Sequence, residues 1–241
     1  MQKKKDLGSN WMFEHPHHKK IHLILKSLDA SLFYEVGAHF GGGTLITLLH
    51  NEYRWSKDVD FICPVGPGYK RLRELVSDNK FKPHFFFGKK DKLEFPRDLT
   101  ANQYGVRFVV VAESQPIKFE IIAENRIELE KPEIFDWTEL PCLSRVDRVA
   151  EKLLANADRW NDTAIRSRDL IDLAVMRESG KLPTEAINKA DAAYPVISPL
   201  KEALNKFQNL EGYQDKCFNA LQIEERDLVL KGINFLVDDF Q

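Results

Sequence analysis

Hydrophobic residues recur along the first half of the chain with two different periods. Apolar side chains three or four positions apart predict amphipathic helices over residues 17–28 and 68–78. A nearly continuous apolar run from Leu45 to Leu49 predicts a buried helix directly behind a glycine turn. Short runs rich in β-branched and aromatic residues predict strands. They lie at residues 32–40, 58–63, 81–87, 104–112 and 117–122.

From about residue 140 onwards the pattern becomes purely helical. Ser144 and Asp147 have the spacing of a capping box that opens a helix, and an apolar stripe with helical spacing follows them. We therefore predict an α+β fold, with a mixed β-sheet and helices over residues 1–135 and a helical C-terminal part over residues 136–241. The cleft between these two parts is the predicted ligand site.

Composition narrows the class of protein without identifying it. The 241 residues are 43% hydrophobic and 30% charged, which is ordinary for a soluble globular chain. The net charge of −2 excludes a global basic footprint, so any nucleic-acid contact must use local patches. Three widely spaced cysteines argue against a disulfide framework and favour a reducing compartment. We expect a cytoplasmic protein without a membrane span.

Two aspartates on one predicted strand are the strongest candidates for chemistry. Asp58 and Asp60 are two positions apart, so on a strand they point to the same face, while Val59 and Phe61 point into the core. Neighbouring carboxylates repel each other unless a cation lies between them. Mg²⁺ prefers such oxygen ligands and is usually shared with substrate phosphates.

A run of three glycines at 41–43 precedes these aspartates and opens the buried helix. Glycine at a helix start lets backbone N–H groups approach a phosphate closely. Together, the glycines and the aspartates predict a site for a nucleoside triphosphate bound with Mg²⁺ or Mn²⁺. The alternative is a plain strand–helix–strand turn that ends in two solvated aspartates.

Three further features have both a structural and a functional interpretation. Glu120 lies on the polar face of strand 117–122, where it either joins the two aspartates as a third metal ligand or forms a surface pair with Lys118. The basic loop 88–92 is either a solvated turn or a contact to a nucleic-acid backbone. The histidines at 15, 17 and 18 could bind a metal ion, but a short histidine group before a helix favours solvated surface.

The first motif resembles that of a known enzyme family. The segment Gly42-Gly43-Thr44, followed by Ser56-x-Asp58-x-Asp60, is similar to the first motif of the nucleotidyltransferase-like AbiEii/AbiGii toxins, also called MenT-like proteins. That family belongs to the polymerase-β nucleotidyltransferase superfamily. Each piece alone is common by chance, and the ordered combination is what carries the resemblance.

The two predicted helices after residue 144 carry the rest of the resemblance. Lys152, Ala155 and Arg159 match a K-x-x-A-x-x-x-R motif. The segment Arg166-x-Arg168-Asp169-x-x-Asp172 matches the third motif, R-x-K-D-x-x-D, except that arginine replaces the usual lysine at 168. Arginine keeps the charge but not the geometry, so the role of that position is less well defined than the role of the following aspartate.

The resemblance implies a transferase that moves a nucleoside monophosphate from an NTP to an acceptor. It implies Asp58 and Asp60 as metal ligands, Lys152 and Asp169 as essential catalytic residues, and Gly42, Gly43, Thr44, Ser56 and Arg159 as further nucleotide-binding residues. The family also implies an acceptor such as the end of a tRNA, and membership of a toxin–antitoxin or phage-defence system with an antitoxin partner. This last step rests on analogy alone.

Two functions of other classes stay open on the sequence. A kinase-like phosphotransferase could use the same metal and phosphates, and a non-catalytic regulatory protein could bind the NTP without turning it over. Lys152 tests whether the helical part belongs to the site, because its helical spacing leaves it either in solvent or facing the cleft. In both cases we expect its removal to leave the stability of the ligand-free protein nearly unchanged.

Overall fold

The computed structural model of the chain describes residues 13–89 and 92–240. Within these ranges the chain forms ten α-helices and a mixed sheet of eight strands, which confirms the predicted α+β class. The helices are α1 (Pro16–Ser27), α2 (Ala30–Val36), α3 (Gly42–Leu49), α4 (Pro67–Asp78), α5 (Arg145–Arg159), α6 (Arg168–Glu178), α7 (Thr184–Ala193), α8 (Ile197–Asn209), α9 (Tyr213–Leu221) and α10 (Arg226–Phe240). The strands are β1 (His39–Phe40), β2 (Val59–Pro64), β3 (Leu93–Glu94), β4 (Thr100–Asn102), β5 (Gly105–Ala112), β6 (Gln115–Glu124), β7 (Glu133–Phe135) and β8 (Thr138–Cys142).

The sheet brings the candidate strands next to each other. Its order is β3-β5-β6-β2-β1-β8-β7, and β4 pairs with β5. Strand β2 is parallel to β6 and antiparallel to β1, and their register places Asp60 directly beside Glu120. Because paired residues of neighbouring strands share a face, these two carboxylates project from the same side of the sheet.

The alternating pattern of β6 shows why that side is polar. Ile117, Phe119 and Ile121 are each almost completely buried, and they face the core beneath the sheet. Lys118 is exposed and Glu120 is half-buried on the opposite face. The strand therefore anchors its carboxylate by packing the residues on either side of it.

The prediction of a strand over residues 32–40 is wrong for most of its length. Residues 30–36 form helix α2, and only residues 39–40 are a strand. The Asp29 side chain accepts a hydrogen bond from the backbone N–H of Ser31, and Gly37 ends the helix in the left-handed conformation at φ 64°. These two capping signals outweigh the strand preference of the aromatic and β-branched residues between them.

The prediction of a strand over residues 81–87 is also wrong. Residues Pro83–Phe86 form a short 3₁₀ helix instead. Pro83 lacks a backbone N–H and its fixed φ suits the first turn of a helix. The aromatic side chains still serve the core, because Phe86 is fully buried and stacks against Phe108 at a centroid distance of 5.5 Å.

Two hydrophobic cores correspond to the two parts of the chain. The first lies under the sheet and includes Phe40, Phe61 and Phe119, and the second lies among helices α5 to α10. Strand β8 (Thr138–Cys142) is still part of the sheet, and α5 begins the helical part at Arg145. The division at residues 135 and 136 stays a prediction, with one strand of the sheet on its C-terminal side.

The structure bears on three further predictions, which concern the basic loop, a membrane span and the cysteines. Lys90 and Asp91 of the basic loop lie outside the described residues, so its role stays a prediction. No helix in the described ranges is long and apolar enough to cross a membrane. Cys63, Cys142 and Cys217 are all buried free thiols, as the odd number and wide spacing predicted.

Candidate functional site

A cavity of about 570 Å³ lies between the sheet and the helical part. Most of the residues singled out in the sequence line this cavity. They are Gly42, Gly43, Ser56, Asp58, Asp60, Glu120, Lys152 and Arg159. Thr44 and Asp169 are buried behind its wall and do not line it. Three segments that are far apart in sequence therefore meet around one space.

The floor of the cavity carries the acidic group. Asp60 is half-buried on β2, with Asp58 just before it and Glu120 beside it on β6. Burial and the like charges of Asp58 and Glu120 raise the pKa of Asp60 from 3.8 to about 6. A carboxyl group in this position ionises only at higher pH than usual, and a cation placed next to it would favour the ionised form.

Glu120 is engaged with two cations of its own. Its carboxylate lies 2.6 Å from Arg107 Nε and 2.6 Å from Lys118 Nζ. The strand register places it beside Asp60. The pair with Lys118, which is the structural alternative for this residue, is present as well. Its role as a metal ligand stays a prediction.

The donor set fits a hard divalent cation only in part. Asp58 and Asp60 offer carboxylate oxygens of the kind that Mg²⁺ and Mn²⁺ prefer, and Mg²⁺ commonly takes its other ligands from water and phosphate. In the described part of the chain, no group of three or more histidine, cysteine, aspartate or glutamate side chains is already arranged to hold a metal ion. The two aspartates thus offer oxygen ligands suited to such a cation but not a complete set.

The glycine turn fits closely against the acidic strand and against a buried arginine. A Cβ atom on Gly42, which has φ +65°, would lie 2.5 Å from Asp60 Oδ2. A Cβ atom on Gly43 would lie 2.2 Å from Nη2 of Arg54. The glycines are therefore needed for the approach of these two side chains, in addition to any role in binding phosphate.

A chain of hydroxyl groups connects this turn to the aspartates. The Thr44 hydroxyl donates to the backbone oxygen of Asp58 at 2.6 Å and contacts Ser56 Oγ at 2.7 Å. The backbone N–H of Ser56 donates to Nε2 of His18 at 3.2 Å, and Nδ1 of that ring lies 2.7 Å from Glu52. Thr44 therefore positions the site from behind, while Ser56 also lines the cavity.

The hydrogen bonds of His18 correct its interpretation as a solvated surface residue. His18 is completely buried and holds the backbone of Ser56, so it is not solvated surface. The sequence signal that was available is its position in the apolar stripe of α1, three residues before Ile21, which is buried as well.

The opposite wall of the cavity is cationic and tightly paired. Lys152 is only 6% exposed, and its Nζ lies 2.8 Å from Asp169 Oδ1 and 2.7 Å from Asp172 Oδ2. Arg159 Nε lies 2.7 Å from the other oxygen of Asp169. Although burial opposes it, Lys152 and Arg159 together hold the pKa of the Asp169 carboxyl well below its usual range.

Lys152 is thus neither a solvated lysine nor a free one facing the cleft. It lines the cavity while it compensates two buried carboxylates. Its removal would break these two contacts, although Asp169 would keep Arg159 and Asp172 would keep Arg54 as partners. This geometry favours a loss of ligand-free stability when Lys152 is replaced, in contrast to the unchanged stability expected from the sequence.

Arg54 also lines the cavity, although sequence reasoning did not single it out. It is 2% exposed and binds Asp172 with two hydrogen bonds, from Nε at 2.7 Å and from Nη2 at 3.0 Å. The Tyr53 hydroxyl donates to the same carboxylate. Asp172 thus ties α6 to the segment before β2. Nothing in the sequence around Arg54 indicates this pair, because a single arginine in a polar stretch between two elements is common. Asp172, in contrast, belongs to the third motif.

A second missed cluster lies on the cavity wall, where β6 ends. Arg126 Nη2 lies 2.6 Å from Glu124 and 3.0 Å from Glu151 of α5. Burial and the neighbouring charge of Glu124 raise the pKa of Glu151 to about 8. The cluster joins the sheet to the helical part, and Arg126 is its one cation among Glu124, Glu151 and Asp158.

The turn before α6 is strained. Arg166 and Ser167 both have positive φ, 55° and 51°, which L residues seldom adopt. The turn places Arg166 and Arg168 on the lining of the cavity, directly before Asp169. Strain of this kind persists where the surrounding structure requires the conformation, and here it adds two cationic side chains to the helical wall.

Comparisons with known proteins agree with this arrangement. The sequence profile of the family described as "Nucleotidyl transferase AbiEii toxin, Type IV TA system" matches residues 24–216. No curated protein sequence matches the chain at a significant level.

Two solved structures share the fold. One, from H. pylori, is described provisionally as a nucleotidyltransferase; it is 15% identical with a TM-score of 0.54, and the match covers 92% of each chain. The other is JHP933 from Helicobacter pylori, 14% identical with a TM-score of 0.50, covering 92% of this chain and 89% of that one. At this identity the likeness concerns the fold.

Proposed function

This chain belongs to the nucleotidyl transferase AbiEii toxin family, and we propose that it transfers a nucleoside monophosphate from an NTP to RNA in a reaction that needs Mg²⁺ or Mn²⁺. One observation carries the proposal: a single cavity brings together the Asp58 and Asp60 pair, the glycine turn and the cationic helical wall. An acidic floor facing basic walls suits a ligand that is itself a cation–anion complex, and a metal-bound triphosphate is such a ligand.

The triphosphate is held by groups on two sides of the cavity. The N-terminus of α3 at Gly42 and Gly43 offers backbone N–H groups and the positive end of the helix dipole. Lys152 and Arg159 offer positive charge from the helical wall, where Asp169 fixes their positions. Asp169 is therefore a positioning residue, since it is buried behind the groups that face the cavity.

The acidic and the cationic side of the cavity take different parts in the proposed reaction. A hydroxyl of the acceptor attacks the α-phosphorus, the bond from the α-phosphorus to the bridging oxygen breaks, and pyrophosphate leaves. The proton of the hydroxyl passes to a carboxylate of the acidic group. A divalent cation held by Asp58 and Asp60, when bound, supplies charge neutralisation for the α-phosphate. Lys152 and Arg159 neutralise the charge that collects on the departing pyrophosphate.

Labelled nucleotides test the proposal against the two alternative functions. The protein is incubated with total cellular RNA, Mg²⁺ and each NTP in turn, labelled on either the α- or the γ-phosphate. We expect α-label on the RNA and γ-label in released pyrophosphate. Transfer of γ-label to an acceptor would mean a phosphotransferase, and binding of an NTP without any transfer would mean a non-catalytic protein.

We further propose that the protein acts in the cytoplasm as the toxin of a toxin–antitoxin pair and that tRNA is its acceptor. The family description, which names a toxin–antitoxin system, supports this step. Induced expression in a bacterial host should arrest growth, and Asp58→Asn should relieve the arrest at equal protein level. Sequencing of tRNA 3′ ends before and after induction should show added nucleotides. Growth arrest by both proteins alike would contradict the proposal.

A further inference from the structure

A second groove, of about 320 Å³, lies directly beside the NTP cavity. The two spaces share four lining residues, Trp55, Lys57, Asp58 and Lys118. Asp60 lines only the first. The remaining lining of the second groove is His17, Val109, Gln115 and Pro116. Asp58 therefore lies on the border between the cavity proposed for the triphosphate and a second groove that the triphosphate does not need.

The position of this border has a chemical consequence. In an in-line displacement, the attacking hydroxyl and the leaving pyrophosphate lie on opposite sides of the α-phosphorus. If the α-phosphate lies at Asp58 and the pyrophosphate lies toward Lys152 and Arg159, the acceptor must arrive from the side away from the helical wall. The second groove opens on that side, between the segment 55–58 and the hairpin of β5 and β6.

The groove presents an aromatic face that is held in place. The backbone N–H of Trp55 donates to the carbonyl of Leu221 at 3.0 Å, which ties the residue to the end of α9. Its indole is half-buried, with Nε1 turned inward and without a hydrogen-bond partner among the described residues. The ring of His17 meets it edge-on at 6.0 Å, and Nε2 of that histidine lies 2.9 Å from the backbone oxygen of Lys57.

Lys57 gives the groove a displaceable cation. Its Nζ lies 4.2 Å from the centroid of the Trp55 ring, and the residue is exposed. An exposed cation–π contact is weaker than the stacking of a nucleobase on an aromatic ring. A base can therefore take the place of the ammonium group over the indole, and the released ammonium group can pair with a phosphate of the same strand.

We propose that this groove is the acceptor subsite, in which the terminal base of a single-stranded nucleic acid stacks on Trp55 while Lys57 binds the adjoining phosphate. The inference rests on the nucleotidyl transfer proposed above and adds the place and the mode in which the acceptor binds. An indole that is held in place next to the exposed Lys57 suits a single-stranded nucleic acid, in which planar bases alternate with singly charged phosphates.

The experiment uses the full chain and a fluorescein-labelled, single-stranded RNA 12-mer of mixed sequence, with binding followed by fluorescence anisotropy. Trp55→Leu keeps apolar volume but removes the aromatic face, and Trp55→Phe keeps an aromatic face. We expect Trp55→Leu to weaken binding by about ten- to a hundred-fold and Trp55→Phe to lose much less. Melting temperature and NTP affinity, measured for each variant, show whether the fold and the first cavity are intact.

Trp160 provides a matched control for Trp55, and the salt dependence of binding tests Lys57 separately. Trp160 is also half-buried under a lysine, Lys206 at 5.8 Å, and lines neither space. Trp160→Leu should therefore leave RNA affinity unchanged. Lys57→Ala should reduce the slope of log K against log salt concentration by about 0.7, the value for one phosphate contact to a single strand.

The possible outcomes separate this inference from the proposed function. If the wild type transfers nucleotides to RNA and Trp55→Leu does so with the same affinity for RNA, the groove assignment is overturned and the function stands. If the wild type transfers nothing and binds no NTP, the proposed function fails, and the groove assignment fails with it. If the labelled acceptor is a protein, the assignment of the groove to a nucleic acid is wrong.

Discussion

Replacement of Asp60 by asparagine should make the metal-free protein more stable, because the carboxyl is held in an unfavourable place. Its pKa is about 6 instead of 3.8, owing to burial and to the like charges of Asp58 and Glu120. Each unit between the folded and unfolded pKa corresponds to about 1.4 kcal/mol. Ionised Asp60 therefore costs the folded state about 3 kcal/mol once the pH is above 6.

The sign of this effect fixes its dependence on pH. A carboxyl whose pKa is raised on folding is neutral in both states below about pH 4, where it costs nothing. Its cost grows as the pH rises from about 4 to about 6 and is fully present above that. In the presence of EDTA, Asp60→Asn should raise the free energy of unfolding by about 2–3 kcal/mol at pH 7.5 and by only about 0.5 kcal/mol at pH 4.

Urea unfolding followed by circular dichroism at several pH values measures this difference directly. Asp239 supplies a control of opposite sign, because its hydrogen bond to Arg177 lowers the pKa of its carboxyl. Asp239→Asn should therefore destabilise the protein slightly at pH 7.5, by less than about 1 kcal/mol, as is usual for a surface pair. Added Mg²⁺ should stabilise the wild type and leave Asp60→Asn unchanged.

Two results would refute the reasoning. A loss of stability in Asp60→Asn at pH 7.5 would mean that the carboxylate makes favourable contacts that outweigh its repulsion. A gain of the same size at pH 4 and at pH 7.5 would mean that charge is not the cause.

The remaining predictions concern the other walls of the cavity. Lys152→Met should lower the free energy of unfolding by about 1.5–3 kcal/mol without any ligand, because the contacts of Lys152 to two buried carboxylates are lost while Arg159 and Arg54 keep those carboxylates paired; Lys231→Met, which breaks an exposed pair, should change it by less than about 0.5 kcal/mol. Equal losses in urea unfolding would show that Lys152 is not a buried compensating charge. Gly42→Ala should cost more stability than Gly37→Ala, since both have a φ near +65° but only the first would place a Cβ atom against Asp60; equal costs would attribute the effect to φ alone.

The sequence was sufficient to predict those helices and strands in which hydrophobic residues recur with a clear period. The helix behind the glycine turn, the strand from Gly105 to Ala112 and the helix opened by Ser144 were all predicted, and the structure confirms them. In each of these, local preference and burial point to the same structure. The strand predicted at 32–40 failed because capping by Asp29 and Gly37 decides the conformation there.

The site was predictable where a motif kept its residues close together. Asp58 and Asp60 share a face because a strand has a period of two, and this needs no tertiary information. The partners of Asp172 were not predictable, since Arg54 reaches it across 118 positions of the chain. Likewise, nothing in the sequence indicated that Lys152 would be buried in an ion pair, because helical spacing gives the face of a residue but not what covers that face.

The most direct test of the central claim is the yield of pyrophosphate per nucleotide incorporated, measured with α-labelled NTP, RNA and Mg²⁺ for the wild type and for Asp58→Asn. We expect one pyrophosphate to be released for each labelled nucleotide on RNA in the wild type. For Asp58→Asn we expect neither product, while the melting temperature shows that the variant is folded. Incorporation by a folded Asp58→Asn protein at the wild-type rate, or label on RNA without pyrophosphate, would contradict the claim.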